Sequence, residues 1–216
     1  RELYEACKTD SVKLVSLLTQ KTIKFNNDFI FVLDDEKMTA NILHTMSKCN
    51  SIHRSIEYKT KKYLVTGIYE NAMKESDMDS PVHISKSSEL KFIEKSAFSH
   101  ATIKRILIPP NVSRIEENTF SFCTKLQKVE FHSNSKLKFI GKKAFFNSSI
   151  KSLFIPSCVL EFDDGWCSGT KNLINILINP SDEQNIMYYD NKFIIGKSDK
   201  KSDIFDVLYF ARRNIK

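Results

Sequence analysis

Glycine and proline are scarce in this chain of 216 residues, at five each. Such scarcity excludes collagen-like, Pro-rich and Gly/Ser-linker classes, and no low-complexity tract interrupts the sequence. Long apolar runs are missing as well. The longest is Phe29-Ile-Phe-Val-Leu33, far too short to span a bilayer, so no membrane segment is expected in this fragment. The five histidines, His44, His53, His83, His100 and His132, form no H-x-x-x-H or H-E-x-x-H pair. G-x-S-x-G and a Gly-rich phosphate loop are also lacking. We therefore expect no enzyme, no catalytic residue, no metal and no cofactor. The carboxylate pairs Asp34-Asp35 and Asp163-Asp164 read as solvated turn residues.

Cysteine is present but sparse. Cys7, Cys49, Cys123, Cys158 and Cys167 are odd in number and never form C-x-x-C, which excludes zinc-ribbon and thioredoxin-type motifs. They read as buried free thiols without an intrachain disulfide. Arg1-Glu-Leu-Tyr is not the start of a signal peptide. A start without Met and an end at Ile215-Lys216 read as a piece of a longer chain.

What is plentiful is positive charge, with 33 Lys and Arg against 26 Asp and Glu and a net +7. It is localised: from Lys86 to Pro156 there are 13 Lys or Arg against 5 Glu. Such a surface either solvates the protein or meets an acidic partner.

What is also plentiful is self-similarity. Ser88-Glu-Leu-Lys-Phe-Ile-Glu-Lys-Ser-Ala-Phe98 returns as Ser135-Lys-Leu-Lys-Phe-Ile-Gly-Lys-Lys-Ala-Phe145 at an offset of 47. The offset persists through Ile103/Ile150, Ile106/Leu153, Ile108/Ile155, Pro109/Pro156 and Val112/Val159, which marks a repeat array. Each unit splits in two. An apolar residue precedes a small-plus-aromatic pair in Ile93-x-x-x-Ala97-Phe98, Ile115-x-x-x-Thr119-Phe120 and Ile140-x-x-x-Ala144-Phe145. Phe162-x-x-x-Trp166-Cys167 and Ile68-x-x-x-Ala72-Met73 are weaker copies, and the steps along the series are 25, 22, 25 and 22. Shortly after each pair comes an L-x-x-L-x-L skeleton: Ile103/Ile106/Ile108, Leu126/Val129/Phe131, Ile150/Leu153/Ile155 and Leu173/Ile176/Ile178, with Val82/Ile84 as a first copy. Two apolar residues spaced by two share one face of a strand, so one strand per turn predicts a parallel ladder. Phe98, Phe120 and Phe145 should stack inside it, because no turn buries its apolar face alone.

The stretch Ile106-Leu-Ile-Pro109-Pro-Asn-Val112-Ser-Arg-Ile115-Glu-Glu-Asn-Thr-Phe120-Ser-Phe-Cys123, with Ile155-Pro-Ser-Cys-Val159, resembles the BspA-like (Treponema-pallidum-type) leucine-rich repeat. Trp166-Cys167 departs from the pattern, as do His132 and Asn179 in place of the proline. The resemblance implies an α/β repeat fold: a right-handed leucine-rich-repeat solenoid with a parallel strand ladder and short helical turns. It also implies a cell-surface or secreted adhesion module that binds host protein, matrix or glycan. The alternative is an intracellular, cytoplasmic scaffold of ankyrin/leucine-rich-repeat type, since Glu2–Cys7 and Val12–Leu18 look like an ankyrin helix pair.

In domain terms, residues 1–27 read as an N-terminal helical segment and 28–65 as a β-hairpin cap. Residues 66–179 read as about five leucine-rich repeats, and 180–216 as a strand-loop-strand insertion followed by the front of another repeat at Arg212-Arg213-Asn-Ile215-Lys216. Strands are expected at 29–33 and 38–43, at 52–58 and 63–68, and at 187–195 and 206–210. Sequons stand at Asn111-Val-Ser113 and Asn147-Ser-Ser149.

Residues beside the buried strand positions must face outward. That gives a ligand-binding row on the concave strand face: His83, Arg105, Leu107, Lys128, Glu130, Ser152, Phe154, Asn175 and Leu177. Arg105 and Phe154 stand out as anchors. The expected partner is a protein or acidic glycan on another cell or in matrix. Specific nucleic-acid binding is not expected, because the aromatics that would stack bases belong to the core.

Overall fold

Four apolar pairs spaced by two, Ile106/Ile108, Val129/Phe131, Leu153/Ile155 and Ile176/Ile178, lie within short strands. The computed structural model describes residues 21–25, 28–46, 51–78, 81–178, 186–189, 193–197, 201, 204 and 206–211. The N-terminal strands are β1 (Lys21–Phe25), β2 (Phe29–Asp34), β3 (Thr39–Thr45), β4 (Ser51–Ile52), β5 (Ser55–Tyr58) and β6 (Lys61–Ile68). The repeat strands follow: β7 (His83–Ile84), β8 (Phe92–Ile93), β9 (Arg105–Ile108), β10 (Arg114–Ile115), β11 (Lys128–Phe131), β12 (Phe139–Ile140), β13 (Ser152–Ile155), β14 (Glu161–Phe162) and β15 (Asn175–Ile178). The chain closes with β16 (Ile186–Tyr189), β17 (Phe193–Gly196) and β18 (Val207–Ala211).

Two parallel ladders face each other across one core. The first runs β9-β11-β13-β15, extended by a bridge from Val82 to Ile106 and by the β4–β7 pair. The second runs β10-β12-β14, preceded by β3, β6 and β8, which pair in parallel. Ile52, read as part of a hairpin, instead sits in the first ladder opposite Ile84. Antiparallel pairs appear as expected between β2 and β3 and between β5 and β6. The β5–β6 turn uses Lys59 and Thr60, both at positive φ (47° and 67°), the left-handed geometry of a tight two-residue hairpin. The stretch read as one strand over 187–195 is two antiparallel strands, β16 and β17, with β18 beside β17.

The described residues contain no helix, so the class is an all-β solenoid rather than α/β, and the expected short helical turns are absent. The physical reason lies in the small-plus-aromatic segments. Each carries two left-handed residues four apart: Asn71 and Glu75, Ser96 and His100, Asn118 and Phe122, Lys143 and Asn147, Gly165 and Gly169. A right-handed helix does not survive such residues. Alternate N–H groups close tight turns instead, as from Ala97 to the Glu94 carbonyl and from Ser99 to that of Ser96. The groups between them cross to the next turn: Ser96, Phe98 and His100 donate to the carbonyls of Glu117, Thr119 and Ser121. These bonds recur one turn later and form a third, non-strand ladder. The N-terminal helix expected over 1–20 and the repeat front at 212–216 lie outside the described residues.

Phe98, Phe120 and Phe145 are fully buried and stacked, with centroids 5.4 and 5.5 Å apart. The next residue in that column is Cys167, too small to continue the stack. Trp166 fills the room from the neighbouring column, its ring 6.3 Å from Phe145 and 4.8 Å from Phe162. Its indole N–H donates to the Tyr209 carbonyl of β18 at 3.1 Å, and Tyr209 packs on Phe162 at 5.4 Å. Cys123, Cys158 and Cys167 are free thiols, while Cys7 and Cys49 lie outside the described residues. Burial pushes the Cys123 thiol up to about 12, and it donates to the Phe98 carbonyl at 3.0 Å.

Candidate strand-face recognition surface

The first ladder fixes the outward residues in register. One column is Arg105, Lys128, Ser152 and Asn175. The next, two residues along, holds Leu107, Glu130, Phe154 and Leu177. His83 joins this second column beside Leu107, because Val82 bridges to Ile106. Their inward neighbours Ile106, Val129, Leu153 and Ile176 are buried, and this alternation holds the row outward.

Arg105, Lys128, Ser152 and Asn175 are exposed, as is His83; Leu107 and Glu130 are half-buried. Phe154 is 48% and Leu177 58% exposed, large values for apolar side chains. Three of the nine predicted residues lock together. Arg105 grips Glu130 with two hydrogen bonds, Nε to Oε2 at 2.6 Å and the terminal nitrogen to Oε1 at 2.9 Å. Lys128 Nζ reaches Glu130 Oε1 at 2.6 Å. The Arg105 guanidinium, then Lys128, hold the Glu130 carboxyl down at about 2. Glu130 in turn raises the Arg105 pKa above its ordinary value. A shallow recess opens between β11 and β13, lined by Lys128, Glu130, Phe131, Ser152 and Phe154.

Sequence reasoning missed two exposed groups. Ile174, 55% exposed, stands in the column of Lys104, Gln127 and Lys151; an apolar residue at a position polar in other copies was the available signal. On the turn side, His100 stacks on Phe122 at 4.5 Å, and Phe146 meets Phe122 edge-on at 5.2 Å. Phe122 reaches this position through a left-handed backbone, φ 56°, which no sequence pattern announces. Among the described residues, no group of three His, Cys, Asp or Glu could hold a metal ion, and no helix is long and apolar enough to cross a membrane.

Solved structures share this architecture. The pneumococcal vaccine antigen PcpA superposes with a TM-score of 0.67 at 20% identity, over 82% of this chain and 54% of its own. A leucine-rich cell surface protein of Faecalibacterium prausnitzii gives 0.51 at 18% identity, over 82% of this chain and 59% of its own. The T. pallidum leucine-rich-repeat protein TpLRR gives 0.57 at 19% identity, over 71% of this chain and 81% of its own. The chain thus spans little more than half of the first two, and at these identities the likeness is one of fold. No curated protein matches the chain in sequence. The profile of the BspA-type leucine-rich repeat region matches six copies over residues 53–174, more than half the sequence, and the chain belongs to that family.

Proposed function

We propose that this chain is a non-catalytic recognition module, displayed at a cell surface or secreted, whose first-ladder face docks a protein, matrix component or glycan of another cell. The observation that carries the reading is the outward row itself. Phe154 and Leu177 stand exposed on adjacent strands next to the Arg105–Glu130–Lys128 cluster. A paired, regular ladder is rigid, and exposed apolar groups on such a surface favour a partner. Glu130, held near pH 2, stays ionised across the physiological range and is unsuited to general acid–base work. Display outside the cell is supported by the family and by the printed description of the Faecalibacterium neighbour as a cell surface protein.

The test is binding of the labelled protein to cells and to a glycan array, with Arg105→Glu/Phe154→Ser as the comparison. The double variant should keep its melting temperature within a few degrees and lose at least about tenfold in affinity, since a centrally placed anchor is worth about 2 kcal/mol or more. A folded double variant that binds like the parent excludes this face.

A further inference from the structure

Along the ladder axis the outward face changes character. Over β9 and β11 it carries Arg105 and Lys128, with Lys104 exposed at the corner column beside Arg105. Lys151 continues that corner column, whose members are joined by backbone bonds from Gln127 to Lys104 and from Ile174 to Lys151. Four cations therefore stand on this part of the face, where Arg105 and Lys128 share Glu130. Asp77 lies at the edge of this region, taking the Thr102 hydroxyl at 3.0 Å. Past Lys151, which stands just before β13, the cations stop. Ser152 and Asn175 replace the cations, Phe154 and Leu177 stand out, and Ile174 takes the place of the corner lysine. The face is cationic at one end and apolar at the other.

Resting on the ladder-face reading above, we propose that the occupant is an extended polypeptide segment lying across the strands, acidic where it crosses Arg105 and Lys128 and apolar where it crosses Phe154, Ile174 and Leu177. Charge complementarity fixes the first half. The second half decides the class of partner. A sulfated glycan or other uniform polyanion satisfies the lysines but leaves three large apolar side chains facing its charges, whereas a polypeptide supplies both chemistries in one chain. The dimensions agree. Four strands at about 4.8 Å spacing span about 14 Å, and an extended peptide rises about 3.3 Å per residue, so about five residues cross the face.

The test uses three probes: a short fluorescent peptide with Glu and Asp in one half and Leu and Phe in the other, the same peptide with its apolar half changed to Ser, and a heparin-derived oligosaccharide. Binding is followed by fluorescence anisotropy at low and high salt. Two double variants avoid the Glu130 cluster, Lys104→Glu/Lys151→Glu and Phe154→Ser/Leu177→Ser. All four sites are surface positions, and circular dichroism checks the fold. The mixed peptide should bind at least about tenfold tighter than the all-polar one, a difference of about 1.4 kcal/mol. The lysine variant should lower its affinity about tenfold and flatten the salt dependence. The apolar variant should reduce the mixed peptide to the affinity of the all-polar one. Tighter binding of heparin than of the mixed peptide, or no binding of the mixed peptide at all, overturns the polypeptide assignment. If the lysine variant still weakens heparin, the ladder face remains a binding surface. If neither variant changes binding of any probe that binds, the ladder-face reading fails with it.

Discussion

Ser148 sits in a column of small buried residues, Ser76, Ala101, Cys123, Ser148 and Thr170, one from each turn. Ser76 and Thr170 donate to backbone carbonyls three residues back, and Cys123 donates to the Phe98 carbonyl. The Ser148 hydroxyl is buried without a partner. An unsatisfied buried hydroxyl costs about 1–3 kcal/mol, so Ser148→Ala should stabilise the fold by about 1 kcal/mol in urea unfolding. A loss of that size would show that the hydroxyl has a partner. The neighbouring column behaves oppositely. Phe120 touches a ring on each side and is wholly buried, so Phe120→Ala leaves a void that one-dimensional packing has little freedom to close. The cost should be about 3–5 kcal/mol, and an unchanged melting temperature would show that the rings do not form a shared stack.

At the scale of elements, the ladder strands were the most legible feature of the sequence. Apolar residues spaced by two, recurring at a constant offset, place Ile106, Val129, Leu153 and Ile176 side by side, and they pair in that register. The connecting segments were not legible. An apolar residue followed four and five positions later by a small-plus-aromatic pair suits a helical turn as well as a row of tight turns. What decides is a left-handed backbone at residues such as Ser96, Lys143 and Phe122, whose side chains carry no strong preference for it. Part of the candidate site was legible too, because strand alternation names outward residues directly. Their interactions were not: a strand pattern cannot say that Glu130 leans diagonally to Arg105 across a 25-residue separation. This cluster has a pH signature. Arg105 and Lys128 hold the Glu130 pKa at about 2 against an ordinary 4.5. A depressed folded pKa means that the stabilisation is complete above about pH 4.5 and disappears as pH falls through about 2. Glu130→Gln should therefore lower the melting temperature slightly at pH 7, leaving two neighbouring cations unneutralised. The difference from the parent should shrink between pH 4.5 and 2. A gap that stays constant over that window would place the effect in packing rather than charge.

The whole molecule is a stack in which each turn rests on its neighbours, so its stability is a sum of interfaces rather than a property of one centre. Central turns such as those carrying Phe98, Phe120 and Phe145 have a neighbour on both sides. The turn carrying Trp166 has Phe145 on one side and β18 on the other. There the stacking column ends in Cys167, and the missing ring is supplied from elsewhere: Trp166 shifts across, Tyr209 covers Phe162, and Phe210 lies 6.3 Å from Trp166. Strand β18 thus covers the turn that carries Trp166, and weakening it should act locally. Tyr209→Ala removes the ring against Phe162 but keeps the carbonyl that accepts the indole N–H. The loss of one half-buried aromatic contact, about 1–2 kcal/mol, should speed amide exchange about tenfold along β15 and around Trp166. Amides of β11 and β9, two and three strands away from β15, should exchange at the parental rate, because a nearest-neighbour stack transmits little over that distance. Uniform acceleration across all four strands would show instead that the solenoid opens as one cooperative unit, with the cap contributing to global stability.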